Sequence, residues 1–151
     1  MATTRANIEA ILVQRCGGLL TFAGMAVTVA GSNASLNDPI GYALRQAGYT
    51  VANIAAVSDT DLTSLDTDDL DYILDVAEFR ALENISGNID DVDIQNGPES
   101  EKFSQIGANL EKRMARLQEK INSSYGVGVT AEFGTISYDF VQHGDDEEIS
   151  E

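Results

Sequence analysis

The sequence predicts a mainly α-helical fold, a small helical bundle of four to five helices with a long C-terminal helix followed by a short β-strand-like arm. Three observations carry that expectation. Apolar residues recur at intervals of three and four through most of the chain. Asp38-Pro39 and the trio Asp68, Asp69 and Asp71 have the character of helix starts. Gly48, and further on Gly126 and Gly128, have the character of helix ends. With 151 residues, 43% of them hydrophobic, the chain has the length and apolar content of one domain with a true core.

In the first helix, expected over residues 4–16, Ile8, Ile11, Leu12 and Arg15 fall at helical spacing before Gly17-Gly18 interrupts the pattern. Residues 19–31 mix β-branched and small side chains, which admits either a second short helix or a strand. Residues 32–37 read as loop. Asp38 as N-cap and Pro39 at the first helical position then open a short helix. Ile40, Ala43, Leu44 and Ala47 form its inner face, and Gly48 suits a left-handed exit. Residues 49–57 are apolar and ambiguous. Ser58 and Asp61 have capping-box-like spacing ahead of a one-turn helix.

The central helix is expected over residues 67–84, with its acidic first turn favoured by the positive end of the helix dipole. Leu70, Ile73, Leu74, Ala77 and Ala81 make one apolar stripe, and Tyr72, Val76 and Phe79 make a second. A helix that is apolar on two sides needs two partners. Either it is the hub of the domain, or it holds the core on one side and another subunit on the other.

Residues 86–99 form a polar loop ending in Gly97-Pro98, and the long helix runs from there to about residue 124. Its stripe is Phe103, Ile106, Leu110, Met114, Leu117, Ile121 and Tyr125, while Lys112, Arg116 and Lys120 align at i, i+4, i+8 on a separate face. Residues 135–141 are rich in strand formers. The expected division is a helical domain over 1–128, an extended C-terminal docking arm over 129–143 and a disordered acidic tail over 144–151.

Charge is distributed unevenly. Residues 102–120 hold five cations, Lys102, Lys112, Arg113, Arg116 and Lys120, against Glu111 and Glu119, a net +3 that leaves −19 on the remainder of a −16 chain. Such a polarised molecule suits self-complementary assembly, with one subunit's basic helix facing a neighbour's acidic surface. The overall charge opposes non-specific binding to nucleic-acid phosphates or anionic membranes. The subunit interface is therefore expected at Tyr72, Val76, Phe79, Lys112, Arg116 and Lys120. Partner docking is expected at Phe133, Ile136, Tyr138 and Phe140, whose segment either completes this domain's own sheet or pairs with another protein.

Chemistry has little support. A calcium loop starting at Asp59 would need Gly at 64 and Glu at 70, where Ser64 and Leu70 stand, and one starting at Asp91 would put Asn96 at the glycine and Lys102 at the last ligand. His143 beside Asp139 or Asp145 lacks a placed nucleophile. Gly126-x-Gly128 follows a helix rather than a strand and is no phosphate loop. Cys16 is the single cysteine, so it forms no internal disulfide and fits a small buried hydrophobe. No catalytic residue, metal or cofactor is expected. The apolar run at 19–30 is too short for a membrane span, and the amphipathic residues before it are unlike the cationic start of a signal peptide.

The stretch Val76-Ala-Glu-Phe-Arg-Ala-Leu-Glu-Asn-Ile-Ser-Gly-Asn-Ile-Asp-Asp-Val-Asp-Ile, the helix Leu110-Glu-Lys-Arg-Met-Ala-Arg-Leu-Gln-Glu-Lys-Ile leading to Tyr125-Gly126, and the closing Gly134-Thr-Ile-Ser-Tyr-Asp-Phe together resemble the head-to-tail adaptor (connector) proteins of tailed bacteriophages. The resemblance covers about residues 40–146. It implies a non-enzymatic helical virion protein at the head-tail junction, or neck, assembled in the host cytoplasm. It implies a homo-oligomeric ring of about twelve subunits. Its implied partners are the portal protein and a tail-side neck or stopper protein, with DNA passing through the channel without specific recognition and no membrane involved. The alternative from another class is an acidic DNA-mimicking regulatory protein that binds a basic partner.

Overall fold

The computed structural model describes residues 3–91 and 100–125, the side chains of 90, 91 and 100–104 excepted. The docking arm, the acidic tail and His143 lie outside these residues. Within them the chain is helical: α1 (Arg5–Phe22), α2 (Asn37–Gln46), α3 (Leu70–Asp91) and α4 (Ser100–Tyr125), with 3-10 turns at Ala34–Leu36, Asp59–Leu62 and Thr67–Asp69. The described residues contain no strand.

α1 does not stop at Gly17-Gly18. It is capped by Thr4, whose side chain accepts from Asn7 N at 3.3 Å, and continues through both glycines to Phe22. The stop signal is Gly24 at φ +70. There Gly24 N donates to Thr21 O and Met25 N to Leu20 O, the paired bonds of a glycine-terminated helix end. Gly17 is buried in the helix with Val27 close by, so the absence of a side chain there serves packing. The same paired bonds end α2, where Gly48 at φ +89 gives the left-handed exit expected of it.

Asp38 is not the N-cap of α2. The Ala34–Leu36 turn runs directly into the helix, which begins at Asn37, so Asp38 and Pro39 both sit in the first turn. Pro39 is tolerated because first-turn amides have no intrahelical acceptor. The freed Asp38 carboxylate accepts from Arg80 Nε at 2.8 Å and Asn84 Nδ2 at 3.0 Å, tying α2 to α3.

Between helices, side chains satisfy backbone groups that a sheet would otherwise pair. Asn33 Nδ2 donates to Ala26 O and Thr28 O. Asn37 Nδ2 donates to Ala55 O. Asp61 reaches back to Ser58 N, as its spacing suggests, and also accepts from Ala52 N at 2.9 Å. The first ambiguous segment, 19–31, is thus helix as far as Phe22 and irregular beyond it, and the second, 49–57, is irregular throughout.

α3 is the hub, packing against α2, α4 and α1. It is longer than expected because its stripe continues through Ile85, fully buried, and Ile89, packed against the core, so that residues 86–91 are helix rather than loop. Ile8, Leu12 and Leu20 of α1, Ile40 and Leu44 of α2, and Leu110, Leu117 and Ile121 of α4 close around it. Both stripes of α3 are used inside the chain: Leu74 is 3% exposed and Val76 is 2% exposed.

Candidate functional site

Two polar networks are buried, and both hold the fold. In the first, Glu9, fully buried, accepts from Arg5 Nε at 2.8 Å, Gly31 N at 2.7 Å and Asn33 N at 2.9 Å. Arg5 also donates to Asn33 O, Val57 O and Asn37 Oδ1. A buried pair in which each guanidinium nitrogen and each carboxylate oxygen has a partner pins the segments after α1 and α2 onto α1. Sequence reasoning missed it, although Arg5, Ile8, Glu9 and Leu12 share one helical face and so announce charge on the inner side.

The second network joins three helices through Asp75 and Glu78 of α3. Asp75, 1% exposed, accepts from Arg15 at 3.0 Å, Tyr125 Oη at 2.9 Å and Lys120 Nζ at 2.6 Å. Glu78 binds Arg15 at 3.0 Å and Arg113 at 2.6 Å, and Arg113 also donates to Arg15 O. Burial pushes the Asp75 carboxyl up, but the hydrogen bonds from Lys120, Tyr125 and Arg15 outweigh it and hold the group below the usual carboxylate range. The Tyr125 phenol is pushed up to about 12 by burial and by its bond to Asp75.

These contacts divide the residues expected at the subunit interface. Val76 is core and offers no surface to a partner. Tyr72 is half-buried, its ring edge-to-face with Tyr125 at 5.0 Å between centroids, and Phe79 is half-buried against the core. In the basic row, Lys120 turns toward α3 and bonds Asp75, because it lies on the flank of α4 nearest the stripe. Lys112 and Arg116 remain on the outer face, exposed. Among the described residues Arg5, Arg15, Arg80, Arg113 and Lys120 form ion pairs, and Arg45 donates to Gly41 O, whereas Lys112 and Arg116 do neither. Phe133, Ile136, Tyr138 and Phe140, expected at the docking site, lie outside the described residues.

Cys16 is buried, its Sγ donates to Leu12 O at 3.0 Å, and burial with the charge of Glu78 pushes its thiol up to about 11. A thiol so placed is a poor nucleophile. Among the described residues no group of three or more His, Cys, Asp or Glu could hold a metal ion, and no helix is long and apolar enough to cross a membrane.

A recess of about 270 Å³ opens where three helix ends meet, at Gln46 and Ala47 of α2, Asp68, Asp69 and Tyr72 around the start of α3, and Tyr125 of α4. Asp69 Oδ2 accepts from Tyr49 Oη at 2.5 Å, while the Asp68 carboxylate has no hydrogen-bond partner among the described residues. Comparison of the chain with known protein families, curated proteins and solved structures finds no match.

Proposed function

We propose that this protein is a non-enzymatic structural subunit of a tailed-phage virion, a ring component at the head-tail junction that joins the portal to a tail-side neck or stopper protein around the DNA channel. One observation carries the assembly part of this reading. On a chain of net charge −16, the exposed Lys112 and Arg116 have no partner among the described residues, although the other described cations are engaged within the fold. Exposed, unpaired cations on an acidic body favour contact with another acidic surface, and a second copy supplies one. The resemblance of residues 40–146 to adaptor proteins supplies the virion context. The acidic body also suits a channel that DNA must traverse without sticking.

Light scattering and electron microscopy of the purified protein, alone and with portal, test the proposal. A closed ring, or one that forms on the portal, supports it. A monomer or dimer that ignores portal and binds a basic protein with steep salt dependence would replace it with the DNA-mimic alternative.

A further inference from the structure

The recess between the ends of α2, α3 and α4 has the chemistry of a cation site. The last carbonyls of α2 lie at Gln46 and Ala47, where the helix dipole is negative. Asp68 presents a carboxylate that is unpaired among the described residues, and Asp69 keeps one oxygen free of Tyr49. The Tyr72 and Tyr125 rings, inclined at 69°, offer π faces that attract a cation. The positive end of α3 also lies here, but Asp66 caps the 3-10 turn that leads into it, and Asp68, Asp69 and Asp71 lie in that turn and the first turn of α3.

Among the described residues Lys112 and Arg116 are the cations without an ion pair or side-chain hydrogen bond, and they cannot fill their own recess. Arg116 lies nine residues before Tyr125 on α4, so it stands about 13 Å away along the axis and about half a turn round, on the opposite face. Lys112 is farther still. Row and recess thus point away from each other on one molecule, which is the arrangement a head-to-tail contact requires.

We infer that the recess receives a cationic side chain of α4 from a second copy of this chain, Arg116 with Lys112 beside it, in a heterologous contact that propagates from subunit to subunit. The inference rests on the assembly reading above and names its contact. A guanidinium can bond the Asp68 carboxylate in a fork while stacking on a tyrosine ring, so Arg116 is the better fit and Lys112 the supporting charge. Because each subunit offers one row and one recess, the contact closes as a ring when its rotation allows and otherwise grows as a filament.

The test uses two full-length variants, Lys112→Gln with Arg116→Gln, which lacks the row, and Asp68→Lys, which lacks the recess. Each is first checked for unchanged helicity and melting, with Asp68→Asn replacing Asp68→Lys if the latter disturbs the fold. At low salt the unaltered chain is expected to assemble beyond dimer with rising concentration, and each variant alone to self-associate more weakly by on the order of ten-fold or more. Mixing the two restores one complete contact, so light scattering should show a dimer and nothing larger. Unchanged assembly of either variant, or a mixture that stays monomeric while the unaltered chain assembles, overturns this contact and leaves self-assembly standing. An unaltered chain that is monomeric at every concentration and forms no ring on the portal overturns both.

Discussion

Lys120 and Asp75 meet across the α3–α4 boundary, with Nζ 2.6 Å from Oδ2, although one side chain is 52% exposed and the other 1%. The third member of the basic row thus serves the fold of its own chain. Its position on the flank of α4, one turn beyond Arg116, brings it over a buried carboxylate that already holds Arg15 and Tyr125.

Lys120 and Lys112 should therefore respond differently to loss of charge. Lys120→Met is expected to cost about 1 kcal/mol, between the values for exposed and buried pairs, since Asp75 keeps its other two partners. Lys112→Gln should change stability by less than about 0.5 kcal/mol. Thermal melts of the two variants check this, and reversing the whole row to Glu should lower the melting temperature through position 120 alone.

Acid should loosen the joint between α3 and α4. The Asp75 carboxyl is held below its ordinary range, so the unfolded chain binds the proton more readily than the folded one. The stabilisation is complete above about pH 4, the ordinary carboxylate value, and is lost as pH falls through the lower folded value. Asp38 and Asp61, also lowered, act in the same direction. Denaturant melts from pH 7 to pH 2 should show this loss, and Asp75→Asn should be less stable at neutral pH but lose less on acidification.

Leu74→Asp and Val76→Asp are both expected to abolish soluble folding, because each puts an unpaired carboxylate in the core. Phe79→Asp, at a half-buried site, should leave a folded protein of reduced stability. Soluble yield and far-ultraviolet circular dichroism distinguish these outcomes, and a folded Val76→Asp would show that the second stripe of α3 is not sealed inside the chain.

The two glycines within α1 should also separate. Gly18 has open space around a built Cβ, so Gly18→Ala should raise stability by about 0.5 to 1 kcal/mol by removing unfolded-state freedom from a helix interior. At Gly17 a Cβ would stand 3.1 Å from Val13 Cγ1 and 3.8 Å from Val27 Cγ1, so Gly17→Ala should gain less or lose. Urea midpoints measure both.

The apolar periodicity by itself turned Ile40, Ala43 and Leu44 of α2, Ile73, Leu74, Ala77 and Ala81 of α3, and Leu110, Leu117 and Ile121 of α4 inward, though it passed over Leu82 and Ile85, because burying a stripe at helical spacing is a local geometric constraint that each segment carries by itself. Gly48 was legible for the same reason: a left-handed exit needs glycine whatever surrounds it. Gly17-Gly18 misled because helix propensity is a weak local preference, and packing of α1 against α3 carried the helix past both residues to a stronger stop at Gly24. Tertiary structure alone decided the charges. Arg5 meets Val57, Arg15 meets Asp75 and Glu78, and Arg113 meets Glu78, each across a long sequence separation. An ion pair depends on distances of a few ångströms between elements, which no spacing along the chain encodes. That Lys112 and Arg116 lack partners among the described residues follows only once helix packing has assigned partners to the rest.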